Sequence, residues 1–136
     1  MKDAAVGIVG AGGWGSALSI LLARRGRRVA LWARDPAKAE RLRTTRVNET
    51  YLPGHRLPEA VEVTSELEEV ARLPFLILAV PSQGLRSVWE RLSPYITPMH
   101  SVVNTAKGIE IATGRRLSGV LLDGGKLDKR QLAVLS

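Results

Sequence analysis

Residues 6–26 read VGIVGAGGWGSALSILLARRG, and this stretch decides the fold. Its first residues are apolar or glycine, as in a strand that is buried on both faces of a parallel sheet. A cluster of glycines follows, and from Trp14 onward the apolar residues 14, 17, 18, 21 and 22 recur at helical spacing until Gly26. The pattern predicts a strand over 4–9, a tight turn, and a helix whose core-facing side includes part of the Trp14 ring.

The glycine cluster contains the spacing G-x-G-x-x-G, formed by Gly10, Gly12 and Gly15. In dinucleotide-binding loops the first glycine permits the tight turn, the second lets a pyrophosphate approach the backbone, and the third lets helix and strand pack closely. Free N–H groups at the start of the helix then supply donors for phosphate oxygens. A tight turn without a ligand is the alternative, but the position between a buried strand and a helix favours a dinucleotide site.

The rest of the chain alternates short apolar runs with amphipathic stretches, which is typical of a parallel sheet with helices on both faces. We therefore predict a single α/β domain over 1–136, with a three-layer, doubly wound, mostly parallel sheet of the Rossmann-like type. The further predicted strands are 28–33, 61–64, 75–80, 101–105 and 131–135, and the further helices are 36–42, 67–71, 85–92 and 115–122. Asp35 is expected to cap the second helix, and Ser65 with Glu68 to form a capping box before the third.

Residues 44–60 (TTRVNETYLPGHRLPEA) contain two prolines and a glycine, and we predict an irregular excursion there. A structureless loop of this length in a compact domain is more often functional than idle.

Composition limits the class of protein and its partners. The chain has 136 residues and no cysteine, so disulfides and thiolate metal sites are excluded, and no stretch approaches the ~20 apolar residues of a membrane span. Arginine supplies 15 of the 20 basic residues behind the net charge of +7, but aromatic residues make up only 4%. With so little to stack on bases, we predict a solvated basic surface or a small anionic ligand rather than nucleic acid. The absence of cysteine and of a long apolar stretch leads us to predict a cytoplasmic location.

The choice between NADH and NADPH is expected at the end of the second strand. An acidic residue there bonds the ribose 2′-hydroxyl, whereas an arginine accommodates a 2′-phosphate. Here Arg34 follows the strand and Asp35 is the predicted helix cap. We predict that Arg34 faces the adenosine end and that NADPH is accepted, while an ordinary surface role for Arg34 is the alternative.

Two later loops follow the ends of predicted strands. AVPSQG (79–84) is expected to line the nicotinamide side, although a plain strand-to-helix turn is equally compatible with it. In NTAKGIE (104–110), Lys107 is placed to hold a substrate phosphate or to polarise a carbonyl, unless it is simply solvated. His55 and His100 show no metal-ligand spacing and belong to no Ser-His-Asp set, so no metal site is predicted.

These segments together resemble the amino-terminal half of the NAD(P)-dependent glycerol-3-phosphate dehydrogenases. The G-x-G-x-W-G form of the loop, YLPG and KGIE make the resemblance much more specific than a dinucleotide fingerprint alone. The matching segments, in the family's order, are GAGGWGSAL (10–18), LWARD (31–35), NETYLPGHRLP (48–58), LAVPSQGLR (78–86), AKGIE (106–110) and VLS (134–136).

The resemblance implies the family's reaction for a full-length protein: reduction of dihydroxyacetone phosphate to sn-glycerol 3-phosphate with NADPH or NADH, which supplies phospholipid synthesis. The resemblance also implies that Lys107 contacts both cofactor and substrate, and that Trp32 is a core residue. No catalytic residue is carried over, because the family's proton-transferring lysine lies in a carboxyl-terminal helical domain that is absent from these 136 residues. The implied cofactor-binding residues are Gly10, Gly12, Gly13, Trp14, Gly15, Arg34 and Lys107.

Because the chain ends at Ser136 in a predicted strand, we expect it to be part of a longer protein. Alone, it is expected to bind nucleotide weakly and to be inactive. Two alternative functions stay open: a nucleotide-sensing regulatory domain without catalysis, and a related dehydrogenase for another small hydroxy acid. The oligomeric state also stays open, with a homodimer as one candidate.

Overall fold

The computed structural model describes residues 4–136. The strands and α-helices in this part of the chain are β1 (Val6–Val9), α1 (Gly13–Arg24), β2 (Val29–Trp32), α2 (Pro36–Thr45), β3 (Val47–Asn48), β4 (Leu52–Arg56), β5 (Val61–Thr64), α3 (Leu67–Ala71), β6 (Phe75–Leu78), α4 (Leu85–Leu92), β7 (Ser101–Asn104), α5 (Leu117–Leu122) and β8 (Leu132–Val134). None of these helices is both long enough and apolar enough to cross a bilayer.

Six strands form one parallel sheet in the order β5-β2-β1-β6-β7-β8. The chain first moves outward from β1 to β2 and β5, then returns to the other side of β1 at β6. Strand order therefore reverses between β1 and β6, and ligands of doubly wound sheets bind at such a switch point, outside the carboxyl ends of the strands. The predicted α/β, doubly wound fold is confirmed.

Side chains that alternate along the strands divide the core into two layers. Ile8 and Leu31 pack with α1 and α2 on one face of the sheet, whereas Val9 and Trp32 pack with α3, α4 and α5 on the other. Trp32 is only 1% exposed, so its prediction as a core residue is confirmed. The domain has the expected three layers, with helices on both faces of the sheet.

The two predicted helix caps have opposite outcomes. The Asp35 carboxylate accepts a hydrogen bond from the Ala37 N–H at 3.0 Å and caps α2, as predicted. The Ser65–Glu68 capping box is wrong, because the N-cap residue of α3 is Glu66 and its side chain makes no capping bond. Instead, the Thr64 hydroxyl accepts from the Glu66 N–H at 3.0 Å, so the residue before the predicted cap orders this turn.

Residues 44–60 are not the irregular excursion that the sequence predicts. Within them β3 and β4 form a small antiparallel hairpin with an irregular register. Arg46 fastens its base, because one guanidinium nitrogen donates to the carbonyls of Pro58 and Val61 at 2.6 and 2.7 Å. The hairpin is thereby tied to the edge of the main sheet, where β5 begins.

The close contact between Gly15 and the Gly10 carbonyl can be tested by its effect on stability. A Cβ added at Gly15 would overlap the Gly10 carbonyl oxygen, so we expect Gly15→Ala to lower the free energy of unfolding by about 3 kcal/mol. Chemical denaturation followed by circular dichroism measures the loss. Gly84→Ala is the matched control, since an added Cβ there meets nothing within 4 Å and the change is expected to stay within about 1 kcal/mol. Equal stability of the two variants would contradict the close contact.

Candidate functional site

A cleft of about 610 Å³ opens at the carboxyl ends of the central strands, at the switch point. Four loops and the hairpin contribute to its walls. Lining residues come from the glycine-rich loop (10–14), the end of β2 and the start of α2 (32–35 and 38), the hairpin (51), the loop after β6 (79–81) with the start of the next helical segment (84 and 88), and the turn after β7 (105–106).

The three motif glycines have different local environments. Gly10 has a φ of 122°, and an added Cβ would lie 2.5 Å from the Ala79 carbonyl oxygen, so both conformation and space require glycine. Gly15 packs against the Gly10 carbonyl, which is the close helix–strand contact expected of the third glycine. Around Gly12, in contrast, an added Cβ would meet nothing within 4 Å. The backbone there faces open space on the cleft side, where a ligand has room to approach it.

The start of α1 presents backbone donors to the cleft. Gly12 is the N-cap residue and no side chain caps the helix, while the first bond back to it comes from the Ser16 N–H at 3.0 Å. Gly13 and Trp14 therefore occupy the first turn, whose N–H groups have no acceptor within a helix. Both residues line the cleft. Unpaired donors and the positive end of the helix dipole together form an environment that favours an anion.

The predicted core contact of Trp14 is wrong, because its side chain is 54% exposed and lines the cleft. The buried side of α1 is rotated away from the apolar series and includes Ser16 and Ser19. Both serines are satisfied: the Ser19 hydroxyl donates to the Gly15 carbonyl at 2.8 Å, and the Ser16 hydroxyl accepts from Asn48 at 2.9 Å. Hydrophobic periodicity alone cannot identify a buried face that contains hydrogen-bonded serines.

The hairpin is connected to the glycine-rich loop through Asn48, which is 3% exposed. Its amide donates to the Ala11 carbonyl and the Ser16 hydroxyl, each at 2.9 Å, and its oxygen accepts from the Tyr51 N–H at 3.3 Å. Lys38 of α2 donates to the same Ala11 carbonyl at 2.6 Å, and its ammonium lies 4.6 Å from the centre of the Tyr51 ring. Burial is the main reason that the pKa of Lys38 is lowered, with Arg41 adding to the shift and Asp35 opposing it.

Asn48, Lys38 and Tyr51 were not assigned to the site from the sequence. Asn48 and Tyr51 do belong to the NETYLPG segment that carries the family resemblance, and this was the available signal. No comparable signal marks Lys38, because its bond to the loop joins residues 27 positions apart.

Arg34 lies at the mouth of the cleft beside Asp35. Its side chain is exposed, and within residues 4–136 it makes no hydrogen bond or ion pair. The Asp35 carboxylate is already occupied as the cap of α2. The free cation, rather than the capping acid, is therefore the group available to a ligand at this end of the cleft.

Side chains from the loop after β6 and from the start of α4 hold the segment after β7 in place. The Gln83 side chain donates to the Ile109 carbonyl at 3.0 Å and accepts from the Ile111 N–H at 2.9 Å. Arg86 pairs with both oxygens of Glu110 at 2.8 and 2.9 Å, and this carboxylate is buried. The PSQGLR and KGIE segments thus form one cross-linked unit.

Lys107 stands at the edge of that unit. Its neighbours Thr105 and Ala106 line the cleft, whereas Lys107 itself is exposed and is not among the lining residues. The chain before it is fixed by Asn104, whose side-chain oxygen accepts from the Ala106 N–H at 3.1 Å. The structure therefore places Lys107 next to the cleft with its side chain in solvent.

The two histidines lie outside the cleft. His100 is buried, where its Nδ1 accepts from the Thr97 N–H at 3.0 Å and its Nε2 faces the Ala71 carbonyl at 2.9 Å. It connects the start of β7 to the end of α3, which is a structural role. His55 is exposed in the hairpin.

The sheet order, the switch point and the glycine-rich turn place this chain in the class of doubly wound, dinucleotide-binding domains. Residues 5–136 match the family described as NAD-dependent glycerol-3-phosphate dehydrogenase N-terminus, and the chain belongs to that family. The resemblance inferred from the motifs is confirmed.

Curated relatives carry the matching name. A glycerol-3-phosphate dehydrogenase [NAD(P)+] from Moorella thermoacetica is 46% identical over 137 aligned positions, covering 100% of this chain and 40% of the relative. A second, from Salinibacter ruber, is 48% identical over 130 positions, covering 94% of this chain and 38% of the relative. The chain thus spans about 40% of the length of these relatives.

The fold comparison agrees with the sequence comparison. The crystal structure of glycerol-3-phosphate dehydrogenase from Coxiella burnetii superimposes with a TM-score of 0.79 at 30% identity, over 85% of this chain and 36% of that protein. The two curated relatives and this solved structure are all named as glycerol-3-phosphate dehydrogenases.

The Arg86–Glu110 pair makes stability depend on pH. Hydrogen bonds from Arg86, and then from Thr113, lower the pKa of Glu110 from 4.5 to about 2, although burial opposes the shift. A carboxyl whose pKa is lower in the folded state stabilises the fold above its unfolded pKa. This contribution is present in full above pH 4.5 and is lost as the pH falls toward about 2.

We therefore expect Glu110→Gln to have a lower urea midpoint than the unmodified chain at neutral pH. The two midpoints should converge as the solution is acidified below pH 4.5. Urea titrations at a series of pH values measure the difference. Glu40→Gln is the control, because Glu40 pairs with Arg43 on the exposed face of α2 and its loss should change the midpoint little. A Glu110→Gln deficit that stays constant with pH would contradict the assignment.

Proposed function

We propose that this chain is the cofactor-binding part of an oxidoreductase that interconverts dihydroxyacetone phosphate and sn-glycerol 3-phosphate by hydride transfer from NAD(P)H. Membership of the family supports the reaction, and the cleft supports the cofactor. The observation that carries the proposal is the open backbone at Gly12, set between a glycine that forms the turn and a glycine that packs the helix.

In the proposed complex the pyrophosphate lies over Gly12 and accepts hydrogen bonds from the N–H groups at the start of α1. The residues present fit this group, since the N-cap carries no competing side chain and the space above it is free. The positive end of the helix dipole stabilises the negative charge. When bound, the nicotinamide supplies or accepts the hydride.

At the adenosine end, Arg34 is the proposed contact for the 2′-phosphate of NADPH. Its guanidinium is free of partners within the described residues, and its planar donors match phosphate oxygens. NADH lacks this phosphate and is bound through the remaining contacts. The chain is therefore proposed to accept both nucleotides, with Arg34 adding affinity for NADPH alone.

Lys107 is the proposed contact for the substrate. It follows two cleft-lining residues, and the cross-links through Gln83 and Arg86 hold the segment after it. In the proposed complex its ammonium contacts the cofactor and fixes the substrate phosphate or the oxygen that gains charge as hydride is transferred. We assign no proton-transferring residue to these 136 residues.

Extending the chain to the full length of its relatives tests the reaction itself. We expect the extended protein to oxidise NADPH or NADH when dihydroxyacetone phosphate is added, as measured by nicotinamide absorbance. Nucleotide binding without any reduction of this substrate would instead support the sensor alternative, or a dehydrogenase for another hydroxy acid.

Arg34→Ala tests the 2′-phosphate contact. We expect its affinity for NADPH to fall about tenfold, the equivalent of roughly 1.4 kcal/mol, while its affinity for NADH is unchanged. Calorimetric titration of this chain with each nucleotide measures both constants, and tryptophan fluorescence adds a signal because Trp14 and Trp32 line the cleft. Equal NADPH affinity in Arg34→Ala and the unmodified chain would remove the contact. If neither nucleotide binds the unmodified chain, the cofactor proposal itself fails.

Gly12→Ala tests the close approach of the pyrophosphate. A methyl group at Gly12 has free space in the protein, so the free energy of unfolding should change by less than about 1 kcal/mol. The same methyl group occupies the position proposed for the pyrophosphate, so affinity for both nucleotides should fall at least about tenfold. Calorimetry and chemical denaturation on the same preparation separate the two effects. Undiminished binding by Gly12→Ala would show that the ligand does not lie over this residue.

A further inference from the structure

Two side chains from different parts of the chain donate to one carbonyl of the glycine-rich loop. Lys38 of α2 approaches the Ala11 oxygen to 2.6 Å, and Asn48 of the hairpin approaches the same oxygen to 2.9 Å. Ala11 is buried and lies between the turn glycine and the open backbone at Gly12. The loop is therefore held from outside by two donors, not only by its own turn.

The position of Lys38 is unfavourable unless this bond stabilises it. Lys38 is the third residue of α2, in the first turn, where a cation opposes the helix dipole. Its ammonium is also partly removed from water, which lowers its pKa. The bond to Ala11, the face of the Tyr51 ring at 4.6 Å and the negative charge of Asp35 offset these costs.

Fixing the Ala11 carbonyl also fixes the N–H of the following residue. The carbonyl carbon of Ala11 and the nitrogen of Gly12 share one planar peptide group, and none of the described peptide bonds is cis. Once the oxygen is held by Lys38 and Asn48, the Gly12 N–H has a set direction. This N–H belongs to the backbone proposed to receive the pyrophosphate.

We propose that Lys38 is a positioning residue, which orients the Gly12 amide for the pyrophosphate by holding the Ala11 carbonyl. The inference rests on the proposed function, because it assigns a role in binding the nucleotide. Lys38 acts through the loop that both nucleotides share. Its loss should therefore weaken NADH and NADPH equally, unlike the loss of Arg34, which should affect NADPH alone.

Lys38→Met is the test variant, because methionine keeps the length of the side chain but removes the donor. Arg41→Met is its matched control: Arg41 is one turn further along the same helix, is exposed, and does not line the cleft. We expect Lys38→Met to weaken both nucleotides about tenfold and Arg41→Met to change neither by more than about twofold, as measured by calorimetry. Weakening of NADPH alone, or equal weakening by the two variants, would overturn the inference.

Salt dependence separates positioning from direct attraction between the ammonium and the pyrophosphate. An effect transmitted through the Ala11 carbonyl should give the same affinity ratio of unmodified chain to Lys38→Met from about 0.05 to about 0.5 M KCl, whereas a charge effect is screened over that range. A ratio that approaches one at high salt would contradict the positioning role. Lys38→Arg keeps a charged donor and should retain more of the affinity than Lys38→Met. If Lys38→Arg binds nucleotide no better than Lys38→Met, the positioning role would also be contradicted.

A readout in the absence of nucleotide separates this inference from the proposed function. The amide resonance of Gly12 should shift in Lys38→Met and stay in place in Arg41→Met, because Lys38 bonds the carbonyl of that peptide group and Arg41 does not. No shift of Gly12 would overturn the inference even if nucleotide binds. A clear shift, combined with no binding of either nucleotide to the unmodified chain, would leave the loop contact established and refute the proposed function.

Discussion

The structure depends on the contact between the backbone of Gly15 and the carbonyl of Gly10. This contact brings the first turn of α1 directly over the end of β1, and a single methyl group at Gly15 would prevent it. Because α1 starts so close to the strand, its unpaired N–H groups open onto the switch point of the sheet rather than into solvent beside it. The cleft and the anion-favouring end of the helix follow from this one approach.

The loops around the cleft are ordered mainly by side chains that reach across the fold. Lys38 and Asn48 hold the glycine-rich loop from α2 and the hairpin, while Gln83 and Arg86 hold the segment after β7. Backbone conformation alone would leave these connections free to move. Because these side chains already hold the loops in place, fewer conformations are lost when the ligand binds. The entropic cost of binding is therefore smaller.

The sheet could be predicted from the sequence because most of its strands contain a short apolar run flanked by turn residues. The runs overestimate strand length where apolar residues continue into the cleft: Ala79 and Val80 follow β6 and line the cleft instead of extending the strand. The glycine spacing predicted the turn and the packing at Gly10 and Gly15. It could do so because both constraints act on the backbone within a few residues.

Contacts between distant residues could not be predicted in the same way. Ser16 and Ser19 place a hydrogen-bonded polar side on the buried face of α1, which hydrophobic spacing cannot reveal, and Trp14 was misplaced as a result. The hairpin was missed because one of its strands has only two residues and its register is irregular. Lys38 has an ordinary sequence context, and only the folded chain brings it to Ala11.

The most direct measurement of the central claim is a map of backbone amide shifts on addition of NADPH to this chain. If the pyrophosphate lies over the start of α1, the largest shifts should fall on Gly12, Gly13 and Trp14, with a second group around Arg34. The amides near the buried His100 should be unaffected. Absence of shifts in the glycine-rich loop at saturating nucleotide, or shifts confined to another surface, would contradict the assignment of this cleft.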